Sequence, residues 1–450
     1  MAVSSKETWI MPGAGYAHQT YELSHADHFP GPIYPQRYFL YKNHAGKPDF
    51  LPTDRLVAGL KTVLDHYPML YGRLALRDDG EYEVRPSTEG VPFIETAAEE
   101  DFAAFEPDCP QHCISPNLQA ITQPPSEHTP LLGIKLTRFA SNSGVAICFS
   151  CSHYVADGYA CLSFIKNWAA IVRGELKLPF PPADGRQLLR LDPKPSEEEQ
   201  RQFFRQQQKQ HQPDYQPGSN ASVNKGVIIR FTTDKLQALK ADAMASLSDA
   251  EKEAGWFSTM DAICMLVWRA TIRARMVAKE RPLTCMTAVT MRDKHPDLPK
   301  GYFGNGFNQS LLTATAGDIV DRPLGRMAAM HRQGILASRA HTMEQWLMQA
   351  DMTSKTLLAE RAANWLPFAD YFITDWSKFG YYTVDFGEGR PAYCRRFFNP
   401  HKRVICILDM PPTLDGSPTG FDVCITVDET SYDRFCADNE LLAYGTIIGQ

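Results

Sequence analysis

The chain has 450 residues, of which 44% are hydrophobic and 22% charged, with a net charge of −6. It is too long for one ordinary core, so two domains of about 200 residues each are expected. The acidic balance, without any Lys/Arg stripe interleaved with aromatics, argues against nucleic-acid binding, and no window of 18 apolar residues exists to suggest a membrane partner.

The first residues, "MAVSSKETWIMPGAGYAHQT", lack an apolar segment behind basic ones and do not read as a secretory signal. The 11 cysteines are scattered without Cys-x-x-Cys pairs. That pattern suits reduced thiols in the cytosol, with neither a disulfide framework nor a metal site. "RLVAGLKTVLDHYPMLYGRL" carries Leu56, Leu60, Val63 and Leu64 at helical spacing and is stopped by Pro68. "EYEVRP" and "VAICFSCSH" read as strands, the second apolar enough to be central. "GYACLSFIKNWAAIVRG" returns to helix, with Leu162, Ile165, Ala169 and Val172 on one face.

From about Gly174 to Gly226, proline, glutamine and charge replace the apolar rhythm. This stretch reads as a surface linker, with one short helix around 197–209. After it, "FSTMDAICMLVWRATIRARMVAKE" is a strong helix that Ser258 or Thr259 can cap, with Asp261 in its first turn. Arg269, Arg273 and Arg275 read as a solvated face of that helix unless a ligand lies over them. "RVICIL" and "FDVCITV" are strands, so the sum is mixed α/β in two lobes.

The segment "SCSHYVADGYA" (150–160) places His153 where a central strand ends and a helix begins. Side chains at strand ends in α/β sheets tend to face clefts, and a neutral imidazole there can take a proton from an alcohol or amine. Asp157 can orient the imidazole, or it can turn away, pair with an arginine and fix the loop. The string alone does not choose. No Gly-x-Ser-x-Gly accompanies it. Cys151 is a poor nucleophile candidate, because strand side chains alternate between faces.

Four further segments accompany "HYVADG" in order: "LSHADHFPGPIYPQRYFLY" (23–41), "DHYPMLYGRLAL" (65–76), "MRDKHPDLPKGYFGNGFNQ" (291–309) and "TDWSKFGYYTVDFGEGRP" (374–391). Together they resemble the BAHD acyltransferase family, most nearly its fungal members such as the trichothecene 3-O-acetyltransferases, from about residue 20 to the C-terminus. The resemblance implies two chloramphenicol-acetyltransferase-like lobes with a central interdomain channel. An N-terminal lobe would span 1–180, completed by a crossover segment near 385–407. A linker would span 181–222 and a C-terminal lobe 223–450. It implies an acyl-CoA co-substrate, with acetyl expected, a small-molecule alcohol or amine acceptor, no permanently bound cofactor, and a cytoplasmic monomer.

The resemblance also implies roles. His153 matches the general base, acting without an acyl-enzyme. Asp157 matches a structural aspartate whose partner is an arginine upstream of "YFGN", for which Arg292 is the candidate. Asn305 matches a residue that helps hold the histidine. Thr374 and Trp376 match a pair flanking the developing oxyanion. Asp385 and Gly387 match a "DFGWG" loop that shapes the fold, and here Glu388 stands where tryptophan is usual. Ser258 and Thr259 can bind a CoA phosphate at the helix start, against plain N-capping. Two other readings compete. One is a condensation-type transfer from a carrier-protein thioester, disfavoured by Ser152 where a second histidine is usual. The other is a non-acylating relative that uses the channel for binding or cyclisation.

Overall fold

The structure, a computed structural model, describes residues 5–16, 18–31, 33–110, 114–191, 196, 198, 199, 202, 224–254, 256–360, 369–396, 403–413 and 415–449. The chain divides into two compact units. The first comprises Met1–Arg190, Arg292–Gly306 and Phe379–Phe397, and the second Leu191–Met291, Phe307–Lys378 and Phe398–Gln450.

In the first unit, a six-stranded sheet runs in the order Ser5–Ile10, Val91–Ala97, Leu132–Arg138, Gly144–Cys151, Gln36–Lys42, Tyr393–Arg396. The strand Gly144–Cys151 is buried at every residue and pairs antiparallel on both sides. That position explains its predominantly apolar sequence. The helix Thr53–Leu64 buries Leu56, Leu60, Val63 and Leu64, and it packs on the helix Gly158–Val172. The two backbones approach so closely that a Cβ at Gly59 would lie 2.4 Å from Val172 Cγ2, which is why glycine stands there. Trp168 fills the same contact and donates its indole N–H to Leu56 O at 3.0 Å.

The second unit is built on a seven-stranded sheet in the order Phe307–Thr315, Pro282–Thr290, Tyr371–Asp375, Val404–Asp409, Gly420–Asp428, Asn224–Thr232, Thr446–Ile448. Three helices, Thr233–Ala245, Thr259–Arg275 and Leu324–Ala340, join one core with this sheet. The sheet side chains in that core include Leu283, Cys285, Leu312, Ala314, Ile373, Ile405, Ile407, Val423 and Ile425. Alternation along each strand therefore turns their neighbours, Thr374 and Gln309 among them, to the opposite face.

These divisions differ from the expected ones in three places. Residues 292–306, expected in a lobe spanning 223–450, cluster with the first unit. The crossover segment is bounded at 379–397 and not 385–407, because Tyr393–Arg396 hydrogen-bonds along Gln36–Lys42. The expected linker starts too early as well. Within 181–190, Ala183 bridges to Tyr302 and Arg186 is 5% exposed. The short helix expected around 197–209 lies almost wholly outside the described residues. No helix among the described residues is long and apolar enough to cross a membrane. Every described cysteine is a free thiol.

Candidate active site

His153 sits two residues beyond the buried strand Gly144–Cys151. The chain turns there because Ser152 N–H donates to Leu131 O and His153 N–H to Ile33 O, both at 2.8 Å. Asp157 then caps the helix Gly158–Val172, its Oδ1 accepting from Ala160 N–H at 2.9 Å. Gly158 serves packing more than turning. A Cβ there would lie 2.7 Å from Phe379 Cε2.

The structure brings Asp157 and Arg292 together. Arg292 Nη2 donates to Asp157 Oδ1 and Oδ2 at 2.7 and 2.8 Å, and Gly306 N–H donates to Oδ2 at 3.0 Å. Arg292 also donates to Tyr302 O and Gly304 O, both at 2.7 Å, and its guanidinium lies over the rings of Tyr159 and Tyr302. A Cβ at Gly306 would lie 2.7 Å from Arg292 Cγ. Gly306 thus lets the segment close on the arginine side chain. A charge this buried needs such partners, and none of these bonds goes to the imidazole.

Asn305 holds His153. Its Nδ2 donates to Asp27 Oδ1 at 2.9 Å and to His153 O at 2.8 Å. A carboxylate and a carbonyl can only accept, so the amide orientation is fixed and Oδ1 is the atom 3.1 Å from His153 Nδ1. Nδ1 must therefore carry the proton and donate it to Asn305 Oδ1. The lone pair is left on Nε2, where a base needs it. Burial first, then the nearby Arg37 guanidinium, hold the imidazole pKa down to about 4. His153 is therefore neutral throughout the physiological range.

The network behind Asn305 contains residues to which the sequence reading gave no role. Asp27 accepts from Asn305 N–H at 3.0 Å, from Ser24 N–H and Oγ at 3.0 and 2.8 Å, and from Arg186 Nε at 3.1 Å. Arg186 Nη2 donates onward to Val155 O at 2.8 Å. Asp27 was findable from its Ser-x-x-Asp spacing, which forms a capping box. Arg186 was hidden in a proline-rich stretch that composition assigned to the linker.

In the second unit, Thr374 and Trp376 bond to each other. The indole N–H donates to Thr374 Oγ1 at 3.0 Å. In this arrangement the indole N–H is engaged by the threonine, and the threonine hydroxyl proton remains to be donated. Ser258 is likewise committed. It forms a capping box with Asp261, its Oγ donating at 2.6 Å, and it accepts from Arg332 Nη2 at 2.7 Å. These bonds are the ones plain N-capping by Ser258 requires. Thr259 merely follows in the first turn. Asp261 also accepts from Arg332 Nε at 2.8 Å and lies 2.8 Å from His331 Nδ1. Burial alone would raise its carboxyl pKa, but His331 and the Ser258 cap outweigh that and hold it at about 2.

The three arginines expected on a solvated helix face are ion-paired instead. Arg269 bonds Ile319 O, Arg322 O and Glu440. Arg273 bonds Asp438 and Glu440, and Arg275 lies 3.3 Å from Asp428. In the "DFGEG" loop, Asp385 Oδ1 accepts from Gly387 and Gly389 N–H at 2.7 and 2.9 Å. Both glycines have positive φ, 104° and 91°. Glu388 pairs with Lys47, so the loop keeps a local anchor without an indole.

Comparison with known proteins places these features in a family. The Transferase family model matches residues 2–442. Shikimate O-hydroxycinnamoyltransferase of Nicotiana tabacum is 28% identical over 425 residues, 93% of this chain and 95% of that protein. Putrescine hydroxycinnamoyltransferase 1 of Oryza sativa subsp. japonica is 26% identical, covering 96% of each. Among solved structures, TRI101 of F. sporotrichioides, complexed with coenzyme A and T-2, is similar at a TM-score of 0.72 and 21% identity, covering 96% of this chain and 100% of that one. Vinorine synthase is similar at 0.71 and 20%, covering 98% of each. Those two likenesses establish the fold. With the family model spanning nearly the whole chain, the protein belongs to the Transferase family, the BAHD acyltransferases.

Proposed function

We propose that this enzyme transfers an acyl group, acetyl first among the candidates, from CoA to a hydroxyl of a small molecule, with His153 Nε2 as the general base and no acyl-enzyme. The observation that carries the reading is the Asn305 amide, which fixes the Nδ1–H tautomer and leaves Nε2 as the acceptor. The acceptor oxygen attacks the thioester carbonyl while Nε2 takes its proton. The tetrahedral intermediate then expels the CoA thiolate, which recovers that proton from the imidazolium. A positioned base contributes about 10²–10⁴-fold. Thr374 donates to the developing oxyanion, with Trp376 orienting its hydroxyl. Asp157 and Arg292 hold the loop, and Asp385 and Gly387 hold the fold.

Relatives named for transfer to hydroxyls and to amines support the acceptor class. A relative named as an O-acetyltransferase, Taxadien-5-alpha-ol O-acetyltransferase of Taxus chinensis, supports acetyl. The free thiols fit a reducing compartment such as the cytosol. The monomer remains part of this proposal, to be checked by light scattering. The test is thiol release from acetyl-CoA and hydroxycinnamoyl-CoA with a panel of alcohols and amines. His153→Ala is expected to lose at least 100-fold. Near-full activity in that variant would overturn the base assignment, and no thiol release with any pair would overturn the acyl-transfer reading.

A further inference from the structure

The sheet face that carries Thr374 also carries an amide that nothing above uses. Along the pairing of Pro282–Thr290 with Phe307–Thr315, Cys285 meets Leu312 and Leu283 meets Ala314, all in the helix core. Alternation puts the pair Ala288–Gln309 on the other face. Thr287 meets Ile373 on the next strand, and Thr374 meets Cys406 on the one after. Gln309, Ala288, Thr374 and Cys406 therefore form one row across four strands. Gln309 and Thr374 are two strand spacings apart, roughly 10 Å.

Three observations make this row a binding surface. Ala288 and Thr374 are both partly exposed, so the surface can be reached, and the side chain between Gln309 and Thr374 is only a methyl. Gln309 itself is 5% exposed. Its Oε1 has no hydrogen-bond partner among the described residues. A buried amide without a partner is costly, and a leucine or methionine would fill the same space without that cost. An amide retained in such a place needs a partner from outside the polypeptide.

We propose that Gln309 is a specificity-determining residue. Its amide hydrogen-bonds a second polar group of the acceptor, a hydroxyl or carbonyl held about two strand spacings, roughly 10 Å, from the group that is acylated. The enzyme thereby selects polyfunctional acceptors over simple alcohols. A primary amide offers both an acceptor and donors, so either polar group can be read. This rests on the reading that Thr374 faces the reacting carbonyl.

The experiment compares Gln309→Met and Gln309→Leu with the natural enzyme on matched acceptors, a diol and the mono-alcohol lacking its distal hydroxyl, using acetyl-CoA throughout. The expected result is a fall of 10-fold or more in kcat/KM for the diol, toward the mono-alcohol value. The mono-alcohol itself and the KM for acetyl-CoA should stay within twofold. Equal losses on both acceptors, or no loss on either, would overturn the proposal. So would a raised melting temperature without any change in preference, which marks the amide as a mere packing defect. Thr374→Val run in parallel separates the failures. If it leaves kcat intact, the reading of Thr374 fails; if it cripples kcat while Gln309→Met changes nothing, only the role of Gln309 fails.

Discussion

Asn305→Ala is the substitution that most directly tests how His153 is held. It deletes three side-chain bonds: Nδ2–H to Asp27 Oδ1, Nδ2–H to His153 O, and the acceptor for His153 Nδ1–H. The first involves a charged partner and is worth about 1.5–3 kcal/mol, the others about 1 kcal/mol each. Because Asp27 keeps Ser24, Arg186 and the residue-305 N–H, the expected stability loss is about 3–4 kcal/mol. Freed from Oδ1, the imidazole can put its proton on Nε2 and present the wrong nitrogen. Losing a bond of about 1–2 kcal/mol that favours the competent tautomer predicts a fall in kcat of roughly 5- to 30-fold, with the KM for acetyl-CoA unchanged. Asn305 also favours the charged form of His153. Its removal should therefore move the acidic limb of kcat/KM further below about 4, and not toward 6.5. The assay is thiol release against pH on protein shown by thermal melting to be folded. Full kcat in a folded Asn305→Ala, or a limb that climbs to the ordinary histidine range, would refute the tautomer argument.

Arg292→Ala leaves the buried Asp157 carboxylate without its guanidinium and should destabilise the fold by about 3–5 kcal/mol. Arg292→Lys should recover only part of this, because one ammonium cannot reach the carboxylate and both carbonyls as the planar fork does; urea titration reads both. Lys47→Ala, which breaks a half-exposed pair with Glu388, should cost less than about 1 kcal/mol and leave kcat unchanged. Asp409 tests linkage. Burial, with the charge of Asp375 beside it, pushes its pKa from 3.8 up to about 7. The folded state thus binds a proton that the unfolded state has lost, and stability falls as pH rises through that window. Asp409→Asn should leave the melting temperature unchanged at pH 4 and raise stability at pH 8 by about 1–2 kcal/mol, after discounting for partial exposure.

What the sequence revealed and what it hid follow from distance along the chain. The strand ending at Cys151, the helix after Asp157 and the histidine between them were legible, because period and motif lie within 30 residues of each other. The Asp157–Arg292 pair was legible only through the family resemblance, its partners being 135 positions apart. Arg186 was not legible: its carboxylate partner lies 159 positions away, and its neighbourhood has linker composition. The arginines of Thr259–Arg275 were misread for the same reason, since Asp438 and Glu440 come from the far end of the chain. The Trp376–Thr374 bond is different. Residues two apart share a strand face, so the contact was readable, but both groups had been aimed at the substrate.

The chemistry of the proposed base depends on what does not touch it. Two buried carboxylates, Asp27 and Asp157, anchor the loop and the segment that holds it, and neither bonds the imidazole. A carboxylate directly on Nδ1 would favour the charged ring and raise its pKa, so that more of the enzyme would start with its base already protonated. Asn305 separates the two tasks. Its donors tie it to Asp27 and to the backbone of His153, while its oxygen fixes the tautomer without adding charge. Arg37 adds to the effect of burial in opposing protonation. A ring held neutral near pH 7 has its lone pair always available, at the cost of being a weak base in the free enzyme. Under the proposed mechanism, the proton transfer must then be driven by the attack itself, since the acceptor hydroxyl becomes strongly acidic only as its oxygen bonds to the thioester carbon. This arrangement suits direct transfer, in which the base acts in the same step as the nucleophile, better than prior ionisation of the alcohol.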